Sequence, residues 1–390
     1  MSVNSFCRKY IVSVMANSHS SPKWQIIDLV RSFSICIVVW THAGWLCKTI
    51  NNPWLDWLWK KMLENGPYGV GIFFTVSGFL ITNVIANYSK GLYQPDFKKF
   101  YIQRAGRILP LYLLDIVVGS LIWLLVDRND WRWFNSLNQG IGYDPWFWLT
   151  LLTFTFNWLH FIHARLILYG GQWLVLWSLS VEEQFYFCFP FLLKKTGGRE
   201  KLIRLLIGIV VLAFSWRLAA HLLKPKSVVF QNFNSFAVFD QIAMGVLLHL
   251  TLERYGESIA RLKKFNSVIC LMGFAMVVYV LLGTSYESTV DRIYSPFVLG
   301  SGVFIFLLGG LHLPLFESKI LKPFSLPGKY CYGIYLIHPL VIRLFLYGFL
   351  SRAGEYTTLL ALIILCTFIA GISYHFFEMP MNRLIREKTA

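Results

Sequence analysis

Two ionisable residues interrupt an apolar stretch near the start of the chain, and their types and spacing suit proton transfer. Arg31 and His42 are eleven residues apart, which on an α-helix is three turns plus about 20°. We therefore expect both side chains on one face of one helix, about 16 Å apart along its axis. A neutral imidazole accepts a proton near neutral pH, so His42 is a candidate general base. The structural alternative is an Arg31 that extends to the end of the apolar stretch and a His42 held by a hydrogen bond.

A second polar cluster lies at 177–186, where Glu182 and Glu183 are adjacent inside another apolar run. Neighbouring residues point about 100° apart on a helix, so at most one of the two carboxylates faces a given partner directly. A buried carboxylate can orient a histidine or pair with an arginine. The structural alternative is an ion pair that joins two helices. Ser180 lies in the same segment and is a supporting candidate.

Arg104 and Arg107 lie three residues apart in a basic stretch that leads into an apolar run, so we expect them on one face of a helix end. Paired guanidiniums in that position bind phosphate groups well, although an anchor that touches lipid headgroups has the same composition. His338 with Tyr335, and separately Asp240, add polar sites inside other apolar runs. The sequence contains no phosphate-binding glycine loop, nucleophile elbow or zinc-protease motif.

The composition excludes a water-soluble domain. Hydrophobic residues make up 56% of the chain and charged residues only 14%, against roughly 25% charged in an ordinary soluble domain. Mean hydropathy is +0.54, which also excludes a disordered chain or a coiled coil. The net charge of +16 comes from basic residues in short loops, which is typical of cytoplasmic loops of membrane proteins rather than of nucleic-acid binding. The seven cysteines are scattered with no CxxC pair, so we expect neither a disulfide framework nor a metal site.

The distribution of Lys and Arg between loops indicates which of eleven apolar runs cross the membrane. If the aromatic-rich run at 146–162 does not cross, 23 Lys and Arg fall on one side of the membrane and 10 on the other, with three inside spans. We therefore predict an all-α, multi-pass integral membrane protein with about ten transmembrane helices and both termini cytoplasmic. In this topology 146–162 lies at the outer interface or re-enters. Segment 1–23 is cytoplasmic and contains no apolar patch long enough to span.

Taken in order, the polar segments resemble the signature motifs of the acyltransferase type 3 family of membrane-bound O-acyltransferases. The first is Ile-Asp-Leu-Val-Arg at 27–31, followed by His42, and the second is the glycine-rich segment at 69–81. The others are 104–112, 177–186, 239–240 with Gly245 as a weaker match, 332–339 and 378–380. Cys331 stands where the family usually has a serine. The resemblance covers 24–382, leaving 383–390 as a cytoplasmic tail, and leads us to expect a stand-alone membrane module.

The resemblance implies a ten-helix domain, in the cell (inner) membrane, that transfers an acyl group from cytoplasmic acyl-CoA to a hydroxyl of a carbohydrate, a lipid-linked saccharide or an exported metabolite. Acetyl-CoA is the favoured donor because the family most often uses it. The charged end of the donor would dock on Arg104 and Arg107, and its thin arm would pass Arg31 toward the base, His42. An acyl-histidine intermediate is an open alternative.

The chemistry of this reaction gives other polar residues candidate supporting roles. Glu182 would orient His42, and Ser77 and Tyr335 are candidate donors to an oxyanion. Ser180, Asp240 and His338 are supporting candidates without a defined role. The competing hypothesis from another class is a transporter or flippase of a saccharide or lipid-linked intermediate. Against it, the sequence has no inverted repeat and no matched pair of broken helices. An inactive relative with a structural role is a third hypothesis, although the polar residues are all present.

Overall fold

The computed structural model describes residues 25–43, 52–89, 91–127, 145–158, 173–225, 227–348 and 355–387, and every regular element within these ranges is helical. Fifteen α-helices are described, joined in places by short 3₁₀ turns. They are α1 Gln25–Ala43, α2 Pro53–Glu64, α3 Pro67–Tyr88, α4 Phe97–Asp127, α5 Pro145–Leu152, α6 Leu176–Thr196, α7 Arg199–Leu223, α8 Val228–Asn232, α9 Ser235–Arg261, α10 Lys263–Gly283, α11 Asp291–Gly310, α12 Leu326–Lys329, α13 Cys331–Gly348, α14 Glu355–Ser373 and α15 Met379–Glu387.

Eight stretches within the described ranges are long and apolar enough to cross a bilayer. They are Gln25–Ala43, Pro67–Asn87, Phe97–Ile122, Arg199–Leu223, Phe230–Arg261, Lys264–Gly283, Asp291–Gly310 and Leu359–Ile385. The prediction of an all-α, multi-pass membrane protein is confirmed. The ten predicted crossings correspond to these eight together with α6, which carries the two glutamates, and α13, whose apolar part is shorter. The exact number of crossings and the side of the termini stay predictions.

Two segments differ in length from what a simple span requires. α4 runs unbroken through Pro110 from Phe97 to Asp127, so Arg104 and Arg107 lie within a long helix rather than at a helix end as predicted. α5 has only eight residues, about 12 Å of helix, which is far less than the roughly 30 Å of a hydrocarbon core. A continuous spanning helix over 146–162 is therefore not formed, and 159–172 lie outside the described residues.

Local sequence signals set the ends of several helices. The side-chain oxygen of Asn52 accepts hydrogen bonds from the backbone N–H groups of Trp54 and Leu55, and Pro53 occupies the first position of α2. α6 ends at Gly197, whose φ of 60° lies in the left-handed region that glycine adopts without strain. The capped α2 lies beside α1 and α10 and adds a short amphipathic helix at one end of the bundle.

Small residues allow α3 and α9 to pack closely near the centre of the bundle. A Cβ atom at Gly245 would lie 1.9 Å from the carbonyl oxygen of Thr75, and one at Gly78 would lie 2.0 Å from the carbonyl oxygen of Ile242. Neither position has room for a side chain. Since lipid tails are as apolar as the side chains of a membrane helix, such close backbone contact is what drives association in a bilayer. This contact fixes α3, which carries part of the glycine-rich motif, against α9.

A fully buried ion pair joins α7, α9 and α11. Arg217 Nη2 lies 2.7 Å from Asp240 Oδ2, and both side chains are shielded from solvent. The remaining guanidinium donors bind the carbonyl oxygens of Ile293 and Ala237 at 2.9 and 2.5 Å. Each of the three guanidinium nitrogens thus has a partner, as a charge within a membrane requires. The pair is an interhelical contact of the core.

Candidate active site

A cavity of about 430 Å³ opens at the end of the bundle that the charge distribution assigns to the cytoplasm. We name it the wide cavity. Its wall is formed by residues of α1, α3, α4, α12, α13 and α15 and of the turn that precedes α15. Arg31, Arg104 and Arg107 all line it. The structure thus brings together the three arginines that the sequence spacing singled out, although they come from two helices far apart in the chain.

A second and smaller cavity, of about 100 Å³, adjoins the wide cavity and extends into the bundle. We name it the inner cavity. The three arginines, Val84 and Tyr332 line both cavities. Ser77, Ser178, Glu182, Tyr186 and Tyr335 line the inner cavity only, among apolar side chains. A polar path therefore continues from the arginines into the interior of the membrane domain.

The guanidinium of Arg104 is fixed by acidic and aromatic neighbours on α6. Arg104 Nη2 lies 3.1 Å from Glu183 Oε1 and 4.0 Å from Glu182 Oε1, and its Cζ lies 3.9 Å above the centre of the Tyr186 ring. Arg31 is paired with Asp28, at 3.4 Å. Guanidiniums held in this way are ordered before a ligand arrives, which lowers the entropic cost of binding an anion.

Glu182 belongs to this arginine cluster. Its Oε1 accepts a hydrogen bond from Ser77 Oγ at 2.5 Å and another from the Tyr186 hydroxyl. We expected Glu182 to orient His42, but its hydrogen bonds go to α3 and to its own helix instead. The reason is its position on α6, which turns the carboxylate toward α3 and α4.

The hydroxyl groups expected to stabilise an oxyanion already donate to other acceptors. The Ser77 hydroxyl donates to Glu182. Tyr335 donates to the carbonyl oxygen of Val175 at 2.5 Å and also contacts Ser178 Oγ at 2.5 Å. Both residues line the inner cavity, but as its wall. Ser180 lies outside it: its side chain is buried and donates to the Leu176 carbonyl within the same helix, at 3.0 Å.

The direct neighbour of His42 is His338. The two ring centres are 5.1 Å apart, and His42 Nδ1 lies 3.3 Å from His338 Nε2. His42 Nδ1 also lies 2.8 Å from the Val38 carbonyl oxygen, and His338 Nδ1 lies 3.1 Å from that of Ile334. His338 is fully buried, whereas the side chain of His42 is exposed at the opposite end of α1 from Arg31.

These contacts assign the tautomers of both rings. A carbonyl oxygen only accepts, so each Nδ1 must carry a proton and donate it. His338 Nε2 is then an acceptor facing the Nδ1–H group of His42. In this tautomer the lone pair of His42 resides on Nε2.

Tyr335 connects the histidine pair to the inner cavity. It lines that cavity, and its ring centre is 5.8 Å from the ring of His338, one turn further along α13. From the arginines inward, the order of groups is therefore Arg104, the polar wall with Glu182, then Tyr335, His338 and His42. Asp240, expected near the site, lines neither cavity, and its carboxylate forms an ion pair with Arg217 instead.

Two features of the site were not predicted from the sequence: the pairing of Arg104 with Glu183 and the C-terminal helix α15. Glu183, rather than Glu182, is the closer partner of Arg104, and nothing in the adjacent pair distinguishes them until the helix is placed. The C-terminal segment, predicted to be a tail from 383, instead forms α15 and lines the wide cavity. Its apolar residues recur at helical spacing, which could have indicated an amphipathic helix. Within the described ranges no three metal-binding side chains converge.

A family model for an acyltransferase domain matches residues 24–377, most of the length of the chain. The chain belongs to the acyltransferase type 3 family. With its apolar helices, this acyltransferase is a multi-pass integral protein of the cell membrane. The resemblance of its ordered motifs to that family is thereby confirmed.

Several relatives resemble this acyltransferase over most of its length. It is 26% identical to nodulation protein 10 of Rhizobium leguminosarum bv. viciae, covering 95% of this chain and 96% of that protein. It is 26% identical to the peptidoglycan O-acetyltransferase OatA of Listeria monocytogenes and 24% identical to the putative peptidoglycan O-acetyltransferase YrhL of Bacillus subtilis. Those matches cover 92% and 91% of this chain but only 55% and 54% of the relatives, so the chain spans about half their length. No solved structure matches this acyltransferase.

Proposed function

We propose that this membrane acyltransferase is an O-acetyltransferase that takes an acetyl group from cytoplasmic acetyl-CoA and delivers it to a hydroxyl of a cell-envelope saccharide. The observation that carries the proposal is the arrangement of the two adjoining cavities, which three arginines line where the cavities meet and Tyr335 lines on the inner side, with the His338–His42 pair next to Tyr335. The similarity to OatA, which is named a peptidoglycan O-acetyltransferase, supports both the acetyl group and the saccharide class.

The arginines suit the charged end of the donor. A nucleotide with several phosphates is too polar to enter the bilayer, so it must stay at the cytoplasmic surface. Arg104 and Arg107 lie on one face of α4 and Arg31 meets them from α1. The fork geometry of each guanidinium matches phosphate oxygens. The uncharged arm of the donor then extends along the narrower inner cavity, past Ser77 and Tyr335.

His42 acts as general base in this proposal. His42 Nε2 removes the proton from the acceptor hydroxyl, whose oxygen attacks the thioester carbonyl carbon. A C–O bond forms, and the tetrahedral adduct collapses with breakage of the C–S bond. The departing sulfur takes the proton back from the imidazolium, giving the ester and the free thiol of coenzyme A. His338 positions the base, because His338 Nε2 accepts a hydrogen bond from His42 Nδ1–H. This contact keeps the lone pair of the His42 ring on its Nε2 atom.

The position of His42 separates donor and acceptor. Arg31 and His42 occupy opposite ends of α1, and the His42 side chain is exposed at the end away from the wide cavity. The acceptor hydroxyl would approach from that outer side, while the donor enters from the cytoplasm. One helix therefore spans the distance between a cytoplasmic donor and an extracytoplasmic acceptor.

The test is acetyl transfer in membranes that contain the chain, with acetyl-CoA radiolabelled in the acetyl group. We expect label in a saccharide or lipid-linked saccharide fraction with the wild type and at least 100-fold less with His42→Ala. His221→Ala is the matched control, because this histidine lies on α7 and lines neither cavity.

The location of the label decides between mechanisms. Label on the protein itself, lost in the His42 variant, would replace direct transfer by an acyl-histidine intermediate. Full transfer by a well-folded His42→Ala protein would eliminate His42 as the base. Saccharide transport without any transfer of label would favour a transporter.

A further inference from the structure

We propose that the wide cavity contains a subsite for the aminopurine base of the donor, formed by the amide side chains of Gln103 and Asn382 beside the ring pair Tyr330 and Tyr374. The inference rests on the proposed use of acetyl-CoA and extends it to the recognition of the nucleotide. All four residues line the wide cavity and none lines the inner cavity.

The first observation is a pair of amide oxygens without partners. Gln103 Oε1 on α4 and Asn382 Oδ1 on α15 are both shielded from solvent, and neither accepts a hydrogen bond. A buried acceptor in this state costs free energy, and such groups in native structures usually have a role that requires them. Both side chains line the wide cavity, so a ligand with N–H donors bound there would give each amide oxygen a partner once the amide turns toward it. The exocyclic amino group of an adenine is such a donor, and Asn and Gln side chains are its usual partners.

The second observation is the aromatic wall beside these amides. The Tyr330 and Tyr374 ring centres are 5.3 Å apart, and Lys329 Nζ lies 5.3 and 5.6 Å from the two ring centres. The Tyr330 hydroxyl is held at 3.2 Å from His375 Nε2. Fixed tyrosine faces are suitable stacking surfaces for a heterocyclic base, whose affinity for them does not depend on charge.

The third observation is position. The three arginines lie at the boundary shared by the two cavities, whereas the amides and tyrosines lie only on the wide side. A donor whose phosphates bind the arginines and whose arm enters the inner cavity must leave its base in the wide cavity. At about 430 Å³ that cavity is large enough for a base and its sugar, and the inner cavity, at about 100 Å³, is not.

The fourth observation is a local irregularity in the backbone, which forms part of the wall of the wide cavity. Between α14 and α15 the chain forms a π-helical turn, Tyr374–Glu378. Such single π turns occur frequently at functional sites. Here the turn places Tyr374 and Glu378 on the cavity and directs α15 back against α4, so that Asn382 faces the same cavity as Gln103. The C-terminal helix therefore completes the subsite.

The experiment compares three donors on the full-length protein in membranes: acetyl-CoA, its analogue with hypoxanthine in place of adenine, and S-acetyl-4′-phosphopantetheine, which lacks the nucleoside. Because hypoxanthine has no amino group, we expect the wild type to use the analogue with a kcat/KM about tenfold lower, as for the loss of one hydrogen bond. Gln103→Ala and Asn382→Ala should each lower kcat/KM for acetyl-CoA about tenfold, chiefly through KM. With S-acetyl-4′-phosphopantetheine as donor, the same two substitutions should each lower kcat/KM less than twofold.

Gln94→Ala is the matched control, since this exposed amide lies on the same side of the protein and lines neither cavity. Equal losses with all three donors would mean a structural role for the amides and would overturn the subsite while leaving the proposed function intact. Equal use of acetyl-CoA and the hypoxanthine analogue by the wild type overturns it without any variant. If the wild type transfers acetyl from none of the donors, the subsite and the proposed function both fail.

Discussion

At the scale of single residues, the site combines two kinds of polar group with different tasks. Asp28 holds Arg31, Glu182 and Glu183 hold Arg104, and both arginines lie on a cavity large enough for a base and its sugar. The histidines contact each other deeper along the path and have carbonyl partners that fix their tautomers. Donor binding and proton transfer should therefore respond separately to mutation.

His338→Ala tests the positioning of the base. The substitution removes one of the two acceptors of His42 Nδ1–H and the ring that packs against it, so the imidazole keeps only its contact with the Val38 carbonyl oxygen and is less well oriented. We expect kcat for acetyl transfer to fall about 10- to 100-fold, with KM for acetyl-CoA within twofold of the wild-type value. Steady-state kinetics in membranes with labelled acetyl-CoA measure both. An unchanged kcat in the folded variant would assign His338 to structure alone.

Glu183→Gln tests the orientation of Arg104. Loss of the carboxylate 3.1 Å from Nη2 leaves the guanidinium less well fixed, so we expect KM for acetyl-CoA to rise about threefold to tenfold with little change in kcat. Glu182→Gln should act in the same direction, because Glu182 hydrogen-bonds to Ser77 and Tyr186. The exposed Glu200→Gln serves as control. A fall in kcat for Glu182→Gln, at constant KM, would restore a role for Glu182 at His42.

At the scale of helices, the two halves of the site are fixed by different contacts. α3 is held against α9 by glycines at their crossing, and it carries Ser77 into the inner cavity. α15 is held against α4 and follows a π-helical turn. The first contact is deep in the bundle, while the second lies at the end of the bundle where the wide cavity opens. Damage to the first should reduce stability, and damage to the second should alter donor use.

Gly245→Ala tests the first contact. The new methyl group would lie 1.9 Å from the Thr75 carbonyl oxygen, a backbone atom that cannot move without displacing α3. Overpacking of this kind typically costs about 1–3 kcal/mol, so we expect a lower Tm and less folded protein after extraction in detergent. Gly208→Ala is the control, because nothing lies within 4 Å of that position. Equal Tm values for the two variants would show that α3 and α9 tolerate separation.

At the scale of the whole molecule, composition and charge were sufficient for the class of fold. Apolar runs identified nearly every long helix, since a bilayer imposes one length and one composition on all of them. Apolar runs did not give the correct bounds where a helix extends beyond the bilayer. α4 begins at Phe97, eleven residues before the apolar run at 108–126 that predicted a span, and α15 follows a π turn that no sequence pattern marks.

The site was partly predictable for the same reason. Arg31, His42, Arg104 and Arg107 were recognisable because a charged or titratable group in an apolar run is expensive and therefore informative. The partners of these groups were not, because they come from distant segments: Glu183 meets Arg104 across 79 positions and His338 meets His42 across 296. Spacing in the sequence predicts on which face of its own helix a side chain lies, but it does not predict which other helix packs against that face.

The proposed orientation makes a prediction about sidedness. With the native cysteines replaced by serine, single cysteines introduced by Lys195→Cys and Trp57→Cys should react with a membrane-impermeant maleimide from opposite sides. We expect labelling of position 195 only from the cytoplasm and of position 57 only from outside, because the basic loops stay with the cytoplasm. Retained acetyl transfer in each variant is the control for folding. Labelling of both positions from one side would contradict the ten-crossing topology.

The ion pair of Arg217 and Asp240 bears on how the chain enters the membrane. Arg217 lies near the end of α7 and Asp240 near the start of α9, so each charge alone in lipid costs at most the value for a helix centre, about 2.5–3.5 kcal/mol on the scale of insertion by the translocon. Arg217 emerges from the ribosome before Asp240, so α7 has no partner for its charge until α9 has been made. Neutralisation must wait for the second helix, which favours release of α7 and α9 into the bilayer as one unit. A buried contact in the finished protein thus bears on the order in which we expect its helices to enter the bilayer.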